Sequence, residues 1–222
     1  MTAKGNLLDL GLREYIYVWD LQRKLVDIRA ANLIPDTLIF VQHPHVFTVG
    51  KAAPGNSPSQ IGGVPAYRIE RGGQWTYHGP GQLVGYPILN LDLRQRDIHG
   101  FLRKLEETMI HALVEFKITA ERHQGQTGVW VREKKIASIG AAIRNWTSFH
   151  GFALNINTDL SYFQLIEPCG MPSSTMTSMK TLLGREMDFD VVKNQIRKNF
   201  ETVFDLQLVE MEPEDLVAIP AR

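Results

Sequence analysis

What this chain lacks narrows its function before any motif is read. It carries one cysteine, Cys169. No disulfide can therefore close within it, which fits a reducing compartment. Charge of neither sign dominates: 24 Lys and Arg balance 24 Asp and Glu. Binders of nucleic acid or membrane surfaces usually carry a basic excess, so neither partner is expected. No apolar run approaches the ~18 residues of a membrane span, and the opening stretch MTAKGNLLDLGLREY has no signal-peptide core, so a cytoplasmic protein is expected. Phosphate loops of the GxxxxGK[ST] and strand–GxGxxG–helix types are missing, as is a GxSxG nucleophile elbow. His43-x-His45 beside a single cysteine is poor zinc spacing, so no metal or other cofactor is expected. Without repeats, low-complexity tracts or a linker, the 222 residues read as a single domain spanning residues 1–222.

What is present is a globular composition, 44% hydrophobic and 22% charged. Tyr15, Val18, Leu21, Leu25 and Ile28 recur at helical spacing and predict a helix over 14–28. Residues 37–42 and 46–49 read as strands, 51–63 as an exposed loop, and 66–69 as another strand. Residues 83–91 look like a strand in which Pro87 signals an edge or a bulge. A helix over 97–116 starts at the N-cap Asp97, with Ile98, Leu102, Leu105, Met109, Leu113 and Phe116 as its stripe. Strands follow at 128–131, 136–143 and 149–156, the first two joined by a turn at 133–135. A short helix at 161–166, a loop at 167–175, a helix at 188–203 capped by Asp188, a strand at 206–209 and a weakly ordered tail at 213–222 complete the chain. This pattern predicts an α+β fold with helices on a mixed, mostly antiparallel sheet.

The stretch RGGQWTYHGPGQL, residues 71–83, holds four glycines between two strands. It reads either as a cradle that lets a ligand approach backbone or as a long hairpin loop. Cys169, between Pro168 and Gly170, is either a nucleophile in a loop of fixed geometry or a structural thiol. Lys135 is either a solvated charge or, leading into the apolar run IASIG, a partly desolvated proton carrier. Among the histidines, His78 has the strongest claim to function by its place in the glycine-rich stretch.

Several separated stretches resemble one family, the octanoyl-acyl-carrier-protein:protein octanoyltransferases, also called lipoate-protein ligase B. They are HPHVFTVG from His43, RGGQWTYHGPGQ from Arg71, GVWV from Gly128, KIASIG from Lys135, HGFALNI from His150, Pro168-Cys169-Gly170 and Thr177-Ser178. The resemblance implies a biotin/lipoate ligase-like catalytic domain. It implies Cys169 as an acyl-thioester nucleophile and Lys135 as the group that lowers the thiol's pKa and carries protons. It implies Arg71, Gly72, Gly73, Gln74, Trp75, Thr76, Tyr77, His78, Ser138, Ile139, Gly140, Gly151, Phe152 and Ala153 as walls of the acyl site, with Trp75 and Tyr77 as apolar surfaces unless strand alternation turns one of them away. The implied donor is octanoyl-acyl carrier protein. The acceptors are the apo lipoyl domains of 2-oxoacid dehydrogenases and the glycine cleavage H protein, and a monomer is expected. Arg68, Lys134 and Arg144 are expected to form a basic rim for the acidic carrier. The rivals are an ATP-dependent lipoate or biotin ligase on the same fold, and a non-catalytic acyl-binding module.

Overall fold

The computed structural model describes residues 2–94 and 96–218. Along the chain run β1 (Ala3–Leu12), α1 (Tyr15–Ala30), β2 (Thr37–Gln42), β3 (Val46–Val49), β4 (Gln60–Ile61), β5 (Val64–Arg68), β6 (Trp75–His78) and β7 (Gln82–Ile88). Next come α2 (Ile98–Val114), β8 (Glu121–His123), β9 (Gln126–Val131), β10 (Lys134–Arg144) and β11 (Thr147–Asn155). The chain then forms α3 (Met179–Leu183), α4 (Phe189–Phe204), β12 (Leu206–Glu210) and α5 (Pro213–Val217).

The large sheet has eight strands in the order β12-β1-β2-β7-β11-β10-β9-β8. Only β12–β1 and β1–β2 are parallel; the other pairings are antiparallel. The fold is thus α+β with a mixed, mostly antiparallel sheet. Strand β2, TLIFVQ, shows why its sequence is continuously apolar. Leu38 and Phe40 pack on one face with Phe101 and Leu105 of α2 and Ile196 and Phe200 of α4. Ile39 and Val41 pack on the other face with Val18 and Leu25 of α1. Both long C-terminal helices start as predicted: Asp97 accepts from Gly100 N, and Asp188 accepts from Asp190 N and Val191 N. A second, four-stranded sheet in the order β4-β5-β3-β6 carries the glycine-rich stretch.

Three expectations need correction. Pro87 lies in an interior strand, not at an edge. The β7–β11 ladder runs from Gln82–Asn155 to Gly85–Phe152, lapses beside Pro87, and resumes at the Asn90–Thr147 bridge with no shift of register. The lapse is filled by Ser148, whose Oγ accepts from Leu89 N at 3.0 Å and donates to Pro87 O at 2.7 Å. Second, the β9–β10 turn is Arg132-Glu133, and Lys134 already pairs with Val131, so both lysines belong to the strand. Third, the tail is ordered at first: residues 213–217 form α5, and Leu216 is buried in the α1 core. Residues 219–222 of the expected tail lie outside the described residues.

Candidate active site

The site forms where the loop between β5 and β6 folds onto β10. Gly72 N donates to Ala141 O at 3.1 Å, tying the two sheets together. This approach depends on glycine at two facing positions. A Cβ on Gly50 would lie 2.3 Å from Gly73 O, and one on Gly140 would lie 3.1 Å from Arg71 Cδ. Arg71 is buried beneath the crossing. Its Nη1 donates to Gly72 O at 2.9 Å, and its Nη2 to Thr48 O at 2.8 Å and Thr48 Oγ1 at 3.0 Å. Its Nε has no partner, and no carboxylate pairs with it among the described residues. Burial lowers its pKa from the ordinary arginine value.

Cys169 reaches this place on a strap held at both ends. Its backbone N–H donates to Trp75 O at 3.0 Å, and Pro168 bridges Trp75 in β6. Further along, Thr177 N donates to Lys135 O at 3.0 Å, and Met176 bridges Lys135 in β10. Residues 168–177 therefore run from the small sheet to the large one and bring Cys169 to Lys135 across 34 positions of sequence. Cys169 itself has φ 55, an uncommon left-handed conformation for a residue with a Cβ. Such backbone persists where surrounding contacts impose it, often at functional sites.

Two cavities meet at the thiol. The inner one is a slot lined by Thr76, Val84, Ser138, Gly151, Phe152 and Ala153, among others. The outer one opens between β10 and the start of α2 and is lined by Ile98, Leu102, Thr127, Lys135, Ile143 and Met171, among others. Cys169, Gly72, Gly73, Ile139 and Gly140 border both. Lys135 is 3% exposed, unusually low for lysine. Its Nζ donates to Thr127 O at 3.0 Å and sits 5.5 Å over the Trp130 ring. Burial lowers its pKa below the ordinary lysine value, opposed by the nearby Cys169 and Glu106 and assisted by Arg71.

Behind the slot lies a group of hydrogen-bonded, buried polar side chains. His78 Nδ1 donates to Gln82 Oε1 at 2.8 Å, and Gln82 Nε2 donates to Asn155 Oδ1 at 2.9 Å. His43 Nδ1 donates to Arg13 O at 2.8 Å, so its Nε2 accepts from the Tyr86 hydroxyl at 2.9 Å. Burial pushes His43 down to about 4. Burial, then the neighbouring His43, pushes His78 down to about 3. His150 is also lowered by burial, although Glu70, 3.3 Å from its Nε2, works the other way. His43 and His78 are therefore neutral imidazoles near pH 7.

Of the residues expected to wall the site, Arg71, Gly72, Gly73, Thr76, His78, Ser138, Ile139, Gly140, Gly151, Phe152 and Ala153 border the slot. Gln74, Trp75 and Tyr77 do not. Strand alternation turns Trp75 and Tyr77 to the other face of β6, where both pack with Phe47 and Phe163. The Tyr77 hydroxyl meets His45 Nδ1 at 2.7 Å. The Gln74 amide lies over Gly170, where a Cβ would approach Oε1 to 3.2 Å. The residues expected to form a basic rim keep their charge while bonded to nearby groups. Arg68 donates to Gly55 O and Ser57 Oγ, Lys134 to Ser174 O, and Arg144 to Asp27 and Arg23 O. Sequence reasoning missed Tyr15 and Tyr86, which border the slot from α1 and β7. Both sit on predicted elements, but no sequence spacing links them to residue 71.

The chain matches the lipoyl protein ligase A/B catalytic domain over residues 14–201. An octanoyltransferase of Flavobacterium johnsoniae is 41% identical across 94% of this chain and 100% of its own length. One of Rubrobacter xylanophilus is 45% identical across 87% of this chain and 90% of its own. The chain belongs to the octanoyltransferases. Solved structures share the fold of this octanoyltransferase at lower identity. A lipoate-protein ligase A bound with ATP superposes with a TM-score of 0.73 at 16% identity, covering 98% of this chain and 93% of that one. A biotin protein ligase of Aquifex aeolicus, in complex with biotin and ATP, gives 0.56 at 15%, covering 89% and 69%.

Proposed function

We propose that this acyltransferase of protein lipoylation moves an octanoyl group from acyl carrier protein to a lysine of an apo lipoyl domain through a thioester on Cys169. The observation that carries the reading is the position of Cys169 at the junction of the inner slot and the outer opening, with Lys135 bordering the latter. The acyl chain lies in the slot, and either carrier presents its reacting group through the opening. Burial at about 0.8 kcal/mol per CH₂ gives the chain several kcal/mol of binding and the enzyme a ruler for its length.

In the first half-reaction the Cys169 thiolate attacks the carrier thioester. A C–S bond to Cys169 forms, the C–S bond to the carrier breaks, and the departing thiolate takes a proton from the Lys135 ammonium. In the second, the acceptor amine attacks the Cys169 thioester. A C–N bond forms, Cys169 leaves as thiolate, and the now neutral Lys135 takes the amine's proton, restoring the starting ion pair. A lysine whose proton is weakened by burial can serve both halves. The tetrahedral oxyanion needs a donor. The N–H groups of Gly72, Cys169, Gly170 and Met171 are already bonded to carbonyls, whereas Arg71 Nε is not. Arg71 Nε and the likewise unbonded Gly73 N–H are the donors this arrangement offers.

Mixing the enzyme with octanoyl-acyl carrier protein alone tests the reading. Intact mass should rise by one octanoyl group, hydroxylamine should remove it, and Cys169→Ala should abolish it. An adduct that survives Cys169→Ala, or labelling of a lipoyl domain only when ATP and free octanoate are supplied, would overturn the thioester route in favour of a ligase.

A further inference from the structure

Glu106 is a charged residue in the middle of α2, yet it is 0% exposed. Its Oε2 accepts from Arg103 Nη1 at 2.7 Å and from Arg122 Nε at 3.0 Å. Its Oε1 accepts from Gly128 N at 3.1 Å. That N–H belongs to the peptide whose carbonyl is Thr127 O, and Thr127 O accepts from Lys135 Nζ at 3.0 Å. One peptide group thus stands between a buried carboxylate and the buried ammonium. The carboxylate pulls on its N–H end, which makes its carbonyl a stronger acceptor. Gly128 leaves space for this arrangement: at φ 140 it has no side chain, and a Cβ there would lie 2.5 Å from Lys135 Cε.

We propose that Glu106 is a positioning residue for Lys135, holding the ammonium at the mouth of the site through the 127–128 peptide, with Arg103 and Arg122 setting the strength of the hold. The groups facing Lys135 are Glu106 from α2, Cys169 from the strap and Arg71 from the glycine-rich loop, with the Trp130 ring beneath it. Behind that ring stacks His123 of β8, with ring centroids 4.4 Å apart.

The test uses the whole protein without substrate, so its outcome is separate from that of the octanoyltransferase reading, on which only the kinetic consequence rests. The protein is labelled with ¹³Cε-lysine and titrated by NMR, with the Lys135 signal identified by its loss in Lys135→Met. Glu106→Gln keeps an acceptor for Gly128 N but removes the charge, leaving two guanidiniums uncompensated. Lys135 should then hold its proton about three- to tenfold less tightly. Arg122→Gln, at a part-exposed position that tolerates change, should act in the opposite sense and tighten the hold. The two opposed shifts keep the test decisive even if Glu106→Gln folds poorly. A Lys135 midpoint that stays fixed in Arg122→Gln, or that moves upward in Glu106→Gln, overturns the proposal. In single-turnover transfer from the octanoyl-enzyme, Glu106→Gln should move the acid limb of the rate to lower pH with the acceptor's KM unchanged, and should have no such effect in a Lys135→Met background.

Discussion

The buried neutral histidines make the fold acid-sensitive in a way that can be assigned to one residue. His43 titrates near 6.5 when unfolded and is pushed down to about 4 in the folded protein by burial. Above pH 6.5 neither state binds the proton, so His43 adds no penalty. As pH falls from 6.5 toward 4, the unfolded chain gains a proton that the folded state refuses, and stability is lost across that window. At about pH 5 the unfolded form is favoured by about 2 kcal/mol through His43 alone. His43→Gln removes this titration while keeping an amide to replace the bonds to Arg13 O and the Tyr86 hydroxyl. Urea unfolding of both proteins at about pH 7.5 and about pH 5 measures the effect. Whatever the substitution costs at the higher pH, the variant should lose about 2 kcal/mol less than the wild type between the two, roughly 1 M in urea midpoint. The carboxylates contribute equally to both proteins and cancel, while His78, held down partly by His43, resists its proton less in the variant and shifts the difference in the same direction. Equal losses in the two proteins would mean that His43 is not the group that takes the proton, and the argument from its burial would fail.

Two further outcomes follow from packing. Gly85→Ala places a Cβ 2.2 Å from the Phe152 ring in the centre of the large sheet, and should cost at least about 2–3 kcal/mol in chemical denaturation unless Phe152 is also shortened. Ala153→Leu adds three carbons to the slot wall, so the yield of the octanoyl adduct should fall more than that of a butanoyl adduct, at about 0.8 kcal/mol for each methylene excluded, read by intact mass with carriers of both lengths.

Much of the frame was legible because it rests on local rules. The caps Asp97 and Asp188 and the stripes of α2 and α4 are short-range signals, and both helices form within two residues of their predicted starts. Strand β1 was not legible. Its sequence AKGNLLDLGL alternates poorly, and what makes it a strand is parallel pairing with β2 and with β12 at the far end of the chain. The register of β6 shows a finer limit. The glycine-rich stretch reads as one functional unit, but in a strand only alternate residues share a face, so Thr76 and His78 border the slot while Trp75 and Tyr77 join the core of the small sheet. Glu106 was illegible for another reason. A glutamate on a helix normally marks the solvated face, and Arg122 and Gly128, arriving from later in the chain, join Arg103 of the same helix to make its burial tolerable.

The fold itself does not choose between transferase and ligase, since a ligase with bound ATP superposes on nearly the whole chain. The choice lies in what the donor brings. A carboxylic acid must first be activated, so a ligase needs donors free to hold a nucleotide's phosphates. A thioester arrives already activated, and the enzyme then needs only a nucleophile, a proton carrier and one donor for an oxyanion. In this chain both terminal nitrogens of Arg71 are committed to Thr48 and to the Gly72 carbonyl. That takes three of its five N–H groups and leaves Nε–H and one Nη1–H, enough for an oxyanion and ill suited to a triphosphate. Lys135 is likewise held by Thr127 O, as fits a group that exchanges one proton with partners arriving at Cys169. Under the proposed transfer, the donors left over, more than the fold that carries them, suit a thioester better than a free acid with its nucleotide.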